Sequence, residues 1–255
     1  MSLFDLTGKV ALITGGSRGL GLQIAEALAE AGAAVILTAR KAPELDEARA
    51  HLAARGARVA TVACDLAKLD TIPAIVDAAI APFGPIDILV NNAGTSWAAP
   101  MEEHPLSGWQ KVMDLNVTAP FLLTQEVGRR CFLPRDGGKV LNVASIGGLG
   151  GNPADSDMFT IAYNTSKAAL INFTRALATE WGRHGVNVNA LAPGFFPSKM
   201  SEKLIERLTE RLLPTIPLHR FGGPEDLKGP ALLLCSEAGR HITGQCLAVD
   251  GGATA

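Results

Sequence analysis

Tyr163 and Lys167 lie four positions apart in Tyr163-Asn164-Thr165-Ser166-Lys167, a pairing suited to moving a proton. On a helix, residues four apart share one face and can meet. A free phenol titrates at about pH 10 and is a poor base at neutral pH. A nearby ammonium favours the phenolate and lowers that value. The plain alternative is a surface tyrosine beside a solvated lysine. Tyr163 is the only tyrosine among 255 residues, which makes retention for packing a weak explanation. Ser145, at the end of an apolar run, offers a hydroxyl that can donate to an oxygen held near Tyr163; read alone, it could equally cap a turn.

A second chemical feature is the turn Thr14-Gly15-Gly16-Ser17-Arg18-Gly19-Leu20-Gly21, between an apolar run and a helical pattern. Glycines there permit a tight turn and close backbone approach to a pyrophosphate. The free N–H groups and positive dipole end of the following helix suit the same anion.

The elements that must position these groups alternate along the chain. Short apolar runs at 9–14, 34–38, 58–63, 86–91, 139–144, 186–191 and 246–249 read as seven strands. Between them, Leu20, Ile24, Ala25 and Leu28 keep helical spacing up to a closing Gly32, and helices are expected over 43–55, 70–81, 106–132, 162–184, 198–213 and 224–236. Pro120 should kink the 106–132 helix. Parallel strands need crossovers of about a dozen residues, which these helices supply. The expectation is one α/β domain over 1–255, a doubly wound Rossmann-type parallel sheet of seven strands with helices on both faces.

Composition narrows the classes. Hydrophobic residues make up 47% and charged ones 19%, so the chain can bury a sizeable core rather than stay disordered. A formal charge of −2 gives no argument for nucleic acid or an anionic membrane. No run approaches the roughly 18 apolar residues of a membrane span, and no secretory signal opens the chain. Cys64, Cys131, Cys235 and Cys246 form no Cys-x-x-Cys pair and read as buried hydrophobes in a reducing compartment, which points to the cytoplasm. The five histidines lack ligand spacing, so no metal is assigned.

The glycine spacing (Gly15, Gly19, Gly21) resembles the short-chain dehydrogenase/reductase family, and further segments agree: Asn91-Asn92-Ala93-Gly94, Leu115-Asn116-Val117, Ser145, Tyr163 with Lys167, and Pro193-Gly194. The resemblance spans essentially the whole chain. It implies that Tyr163 is the general acid in carbonyl reduction, Ser145 holds the substrate oxygen, and Lys167 binds the nicotinamide ribose. It also implies that the Asn116 backbone carbonyl holds a proton-relaying water. Cofactor contacts would come from Gly15, Ser17, Arg18, Gly19, Leu20 and Gly21. Asp65 and Leu66 would meet the adenine; alone, Asp65 would read as the N-cap of the next helix. Asn92, Ala93, Gly94, Pro193, Gly194, Phe196 and Ser198 complete the set, with Ser198 standing where threonine is usual.

NAD-selective relatives place a carboxylate at the end of the second strand; here Ala39 stands there, Arg40 follows, and Arg18 is a second cation, which implies NADP(H). Relatives are mostly homotetramers, and the two long helices suit two-fold pairing.

Two features bear on the substrate. Ser145 precedes Tyr163 by 18 positions, more than the family commonly has, and the extra loop at 150–159 should wall the substrate pocket with Met158 and Phe159. The stretch 194–220 is expected to be a substrate lid, its apolar residues suiting an acyl chain or simply packing on the core. The leading expectation is an NADPH-dependent reductase of a 3-oxoacyl-type ketone. The runner-up is a polyol or sugar-acid dehydrogenase, and a non-catalytic dinucleotide-binding regulator is the third. Arg129 and Arg130 could dock an acyl carrier protein, or form a helix-end charge pair.

Overall fold

Apolar runs without polar alternation form strands only where helices cover both faces. The computed structural model, which describes residues 3–152, 157–197 and 202–255, has this architecture. Strands β1 (Val10–Thr14), β2 (Ala34–Ala39), β3 (Val59–Ala63), β4 (Ile88–Asn91), β5 (Gly138–Val143), β6 (Val186–Pro193) and β7 (Cys246–Val249) pair in parallel in the order β3-β2-β1-β4-β5-β6-β7. The doubly wound expectation is borne out. Ala11 and Ile13 of β1 join one core with Leu28, Leu45 and Leu234; Val10 and Leu12 join the other with Val76, Val127 and Leu177. The helices that supply these residues are α1 (Gly19–Glu30), α2 (Ala42–Ala53), α3 (Ile72–Ile80), α4 (Leu106–Met113), α5 (Ala119–Val127), α6 (Ile161–Trp181), α7 (Glu202–Leu212) and α8 (Lys228–Cys235).

Three helices depart from the expected spans. The 70–81 helix is a 3-10 turn (Leu69–Thr71) followed by α3, because Pro73 fits a first helical turn and starts the helix there. Asp65 is therefore no helix cap; its carboxylate accepts the Ala67 N–H at 3.1 Å within its own turn. The 224–236 helix begins later, at Lys228, since Asp226 takes the Gly223 N–H (2.7 Å) and pairs with Arg220, which holds that stretch as a turn.

The third departure reaches the site. The 106–132 stretch is helical throughout, as expected, but α4 and α5 meet at a π turn (Asp114–Thr118) and a second π turn (Gly128–Phe132) follows α5. Pro120 sits in the first turn of α5. Having no N–H, it cannot make the ordinary bond to the carbonyl four residues back, which belongs to Asn116. π turns of this kind concentrate at functional sites.

The strand order reverses between β1 and β4, and ligands of such sheets bind in the crevice beyond the strands' carboxyl ends at that point. Beneath it, Asn91 Nδ2 donates to Asn142 Oδ1 (2.9 Å) and Thr124 Oγ1 (3.0 Å), and Asn142 Nδ2 donates to Thr174 Oγ1 (2.9 Å). These buried bonds lock β4, β5, α5 and α6 into one register below the crevice.

Candidate active site

One wall of the crevice is the glycine turn. Gly15 and Gly19 have φ of 63° and 55°, and a Cβ on Gly21 would lie 2.4 Å from both the Gly15 carbonyl oxygen and Asn92 Nδ2. A side chain at 21 is excluded, so this backbone packs directly on Gly15 and the Asn92 amide. The Arg18 side chain makes no capping bond at the start of α1 and no acidic residue lies in its first turn, so its leading N–H groups are left for an anion. Ser17 and Leu20 are half-buried along the same turn.

The adjoining strand end is tied to this turn by Thr14. Its hydroxyl accepts the N–H groups of Asn92 (2.9 Å) and Ala93 (3.0 Å), while Asn92 Nδ2 donates to the Thr14 carbonyl at 2.8 Å. Thr14 escaped the sequence reading, although it directly precedes the glycines. A Cβ on Gly94 would meet Asn116 Oδ1 at 3.3 Å and Lys167 Nζ at 3.6 Å, so Gly94, Asn116 and Lys167 converge.

Asn116 is buried with its amide fully used. Oδ1 accepts the Thr95 N–H (2.9 Å), and Nδ2 donates to the Thr95 carbonyl and Ser166 Oγ, each at 2.9 Å. Ser166 Oγ in turn donates to the Tyr163 carbonyl at 2.7 Å. The side chain thus fixes the start of α6, while Pro120 denies the backbone carbonyl its usual partner four residues on.

Tyr163 and Lys167 occupy successive turns of α6, whose buried stripe (Ser166, Leu170, Thr174, Leu177) seats the helix on the sheet. The Ser145 hydroxyl accepts the Gly147 N–H at 3.1 Å and is near enough to the Tyr163 phenol to favour its ionised form. A Cβ on Gly148 would lie 2.6 Å from the Lys167 carbonyl carbon, so the absence of one lets the turn after Ser145 sit directly on α6. Lys167 Nζ lies 5.6 Å from the Tyr163 ring centroid and donates to the Val143 carbonyl at 2.7 Å.

Other expected residues are placed as follows. Asp65 and Leu66 follow β3, half-buried and buried. Gly194 follows Pro193 at the end of β6, its N–H on the Val249 carbonyl at 3.0 Å. The Phe196 side chain is buried against Gly222, so an approach to a cofactor there would be through its backbone. Ser198 lies outside the described residues. Arg40 is exposed after β2, and Arg18 pairs with Glu44 at 3.1 Å, a partner 26 positions away that no sequence pattern flagged.

Comparison with known proteins agrees with this layout. The sequence model of a family described as enoyl-(acyl carrier protein) reductase matches residues 15–254. Gluconate 5-dehydrogenase of Gluconobacter oxydans (strain 621H) is 41% identical over 254 residues, covering 99% of this chain and 97% of that protein. The 3-oxoacyl-(acyl-carrier-protein) reductase of Synechocystis sp. is 38% identical over 249 residues, 97% of each. The crystal structure of a gluconate 5-dehydrogenase from Burkholderia cenocepacia J2315 in complex with NADP and tartrate matches with a TM-score of 0.92 at 33% identity, over 98% of this chain and 97% of that one. The chain belongs to the short-chain dehydrogenase/reductase family. It is an oxidoreductase of the class acting on CH–OH groups.

Burial dominates the electrostatics of the pair in this dehydrogenase/reductase. Burial holds the Tyr163 phenol above its usual value, and the Ser145 hydroxyl pulls it partly back. It also pushes Lys167 from 10.5 down to about 8. The unfolded chain therefore binds more protons than the folded one between about pH 8 and 10.5. Stability rises with pH wherever that holds, so this group's burial penalty, full below pH 8, is relieved as pH rises through that window. Lys167→Met is expected to remove this rise. Urea unfolding of both proteins at pH 7.5 and 10 checks it, and identical pH slopes would contradict it.

Proposed function

We propose that the enzyme interconverts a ketone and a secondary alcohol using NADP(H), with Tyr163 as proton donor in the reducing direction. The observation that carries this reading is buried Lys167 one helical turn from Tyr163, its Nζ 5.6 Å from the ring, with Ser145 and Asn116 beside the pair at the switch-point crevice. The uncapped start of α1 and the closely packed glycines of the preceding turn fit a dinucleotide pyrophosphate. When bound, NADPH supplies the hydride.

The chain's own groups supply the rest. Ser145 donates to the carbonyl oxygen and holds it beside the phenol. A phenol kept protonated by burial is poised to give its proton as that oxygen gains charge. Lys167, anchored on Val143, then returns a proton to Tyr163 from solvent through a water held on the Asn116 backbone carbonyl.

Two substrate classes remain from the sequence, and the fold favours the second. An acyl chain was expected on the apolar residues of the lid, but Ile205, Leu208 and Leu212 of α7 are buried with Ile216, so that face is used in packing. Arg129 pairs with Glu126 (2.6 Å), and Arg130 with Glu126 (3.0 Å) and Asp77, at the end of the helical stretch remote from Asn116, which lends no support to carrier docking there. Relatives include gluconate 5-dehydrogenases at 41% and 33% identity and a 3-oxoacyl reductase at 38%, so the packing of α7 carries the choice. A keto derivative of a sugar acid is therefore the favoured substrate. With NADPH, kcat/KM for 5-ketogluconate should exceed that for 3-oxoacyl esters. The reverse order restores the acyl reading, and no turnover of either refutes both. A homotetramer accords with the partly exposed Phe121–Phe173 pair (6.1 Å between centroids), which joins α5 and α6 on one outward face.

A further inference from the structure

The long loop between Ser145 and Tyr163 is closed at its neck. Asn152 Nδ2 donates to Thr160 Oγ1 (2.9 Å), Thr160 Oγ1 donates to Asn164 Oδ1 (2.9 Å), and Asn164 Nδ2 donates back to Asn152 Oδ1 (3.1 Å). Each of the three side chains both gives and accepts, so the ring is complete. Asn152 also donates to the Met158 carbonyl, and Asn164 reaches the Gly150 carbonyl at 3.5 Å. Both sides of the neck, 150–152 and 158–160, are thereby tied to one residue of α6, the neighbour of Tyr163.

Two further contacts locate this neck. Asn164 lies over the turn that follows Ser145: a Cβ on Gly147 would meet its Oδ1 at 3.4 Å. On the other side, the Ala99 N–H donates to the Phe159 carbonyl at 3.0 Å, joining the loop to the segment that leaves β4 and carries Thr95. The neck therefore spans from the start of α6 to the β4 side of the crevice and brackets the Ser145–Tyr163 pair. Half-buried side chains in a cyclic array resist displacement together, because loss of one member leaves the other two short of partners.

We propose that Asn152, Thr160 and Asn164 are positioning residues that set the substrate wall beside Tyr163 and so determine which substituent of the carbinol carbon is admitted. This rests on the reading of Ser145 and Tyr163 as the reacting pair. The catalytic geometry itself does not depend on the ring, since Ser145 is held by its own turn and by the Gly148 contact with α6. The ring consequently acts on substrate fit and not on the chemical step.

Thr160→Val removes the hydroxyl at nearly constant volume, and Thr160→Ser keeps it. For Thr160→Val, KM for the ketone should rise about three- to tenfold, the range one net hydrogen bond spans, with kcat and NADPH Kd near wild type and a changed ranking across a series of ketones. Thr160→Ser should restore wild-type KM and ranking. Asn152→Ala combined with Thr160→Val should raise KM little beyond either alone, as members of one network do. The proposal is overturned if Thr160→Val leaves KM and ranking unchanged, if it lowers only kcat or thermal stability, or if Thr160→Ser behaves as Thr160→Val. Tyr163→Phe, assayed alongside, separates the two claims: full activity there defeats the reacting-pair reading, whereas an inactive Tyr163→Phe with a silent Thr160→Val defeats only the positioning role.

Discussion

Tyr163→Phe is expected to cut turnover by about 10²- to 10⁴-fold, the usual contribution of a general acid, while NADPH binds as in wild type. The substitution removes one oxygen. It leaves the aromatic ring, the Ser166 bond to the residue 163 carbonyl and the whole glycine turn in place. Ser145 keeps its bond from Gly147, so the substrate oxygen still has a donor, but no proton follows it. Ser145→Ala makes the complementary case: the phenol stays, a hydroxyl that lowers its pKa goes, and it should titrate still higher. Single-turnover kinetics of Tyr163→Phe with a chromogenic ketone, set beside fluorescence titration with NADPH, check the pair of claims. Turnover within a factor of a few of wild type would remove Tyr163 from the mechanism. Loss of NADPH binding would instead mean that the hydroxyl helps hold the cofactor.

Much of the fold was legible because its parts obey one periodicity each. Strands buried on both faces read as unbroken apolar runs, and the seven were found with ends shifted by only a residue or two. The residues around Tyr163 were likewise visible as ordered motifs. What escaped depends on geometry that no period encodes. The π turn at Asn116 looks helical in sequence, and its trace is a single proline four residues on. The Asn152–Thr160–Asn164 ring joins ordinary polar residues across a loop, where composition predicts only solvent exposure. The Lys167 ammonium also donates to a backbone carbonyl of β5, a partner whose identity depends on strand register. The buried face of α7 was the reverse case: its amphipathic pattern was plain, but the pattern alone did not say whether core or substrate covers it.

Arg40→Ala is expected to weaken NADPH binding by roughly ten- to a hundredfold, the value of one charge-assisted hydrogen bond, and to leave NADH nearly unchanged. Arg40 is exposed just past β2, with no carboxylate at position 39 to repel a 2′-phosphate or to hold a ribose 2′-hydroxyl. A guanidinium grips a phosphate through paired bonds that a neutral ribose cannot make. Arg18, across the glycine turn, is the second cation, but Glu44 at the start of α2 already holds it at 3.1 Å and holds Lys41 at 3.2 Å through the same oxygen. A phosphate entering here competes with that carboxylate for Arg18. Exposed ion pairs are worth little, at most about 1 kcal/mol, so the competition tempers NADPH affinity and does not abolish it. Glu44→Gln should therefore tighten NADPH binding by a few-fold at low salt, with the gain fading as salt screens it, while Ala39→Asp should shift preference towards NADH. Titrating both dinucleotides into wild type, Arg40→Ala, Glu44→Gln and Ala39→Asp gives four ratios that must move in these directions. Equal loss of NADH and NADPH in Arg40→Ala would assign that arginine to folding or to the shared ribose, and weaker NADPH binding in Glu44→Gln would make Glu44 an orienting partner of Arg18 instead of its competitor.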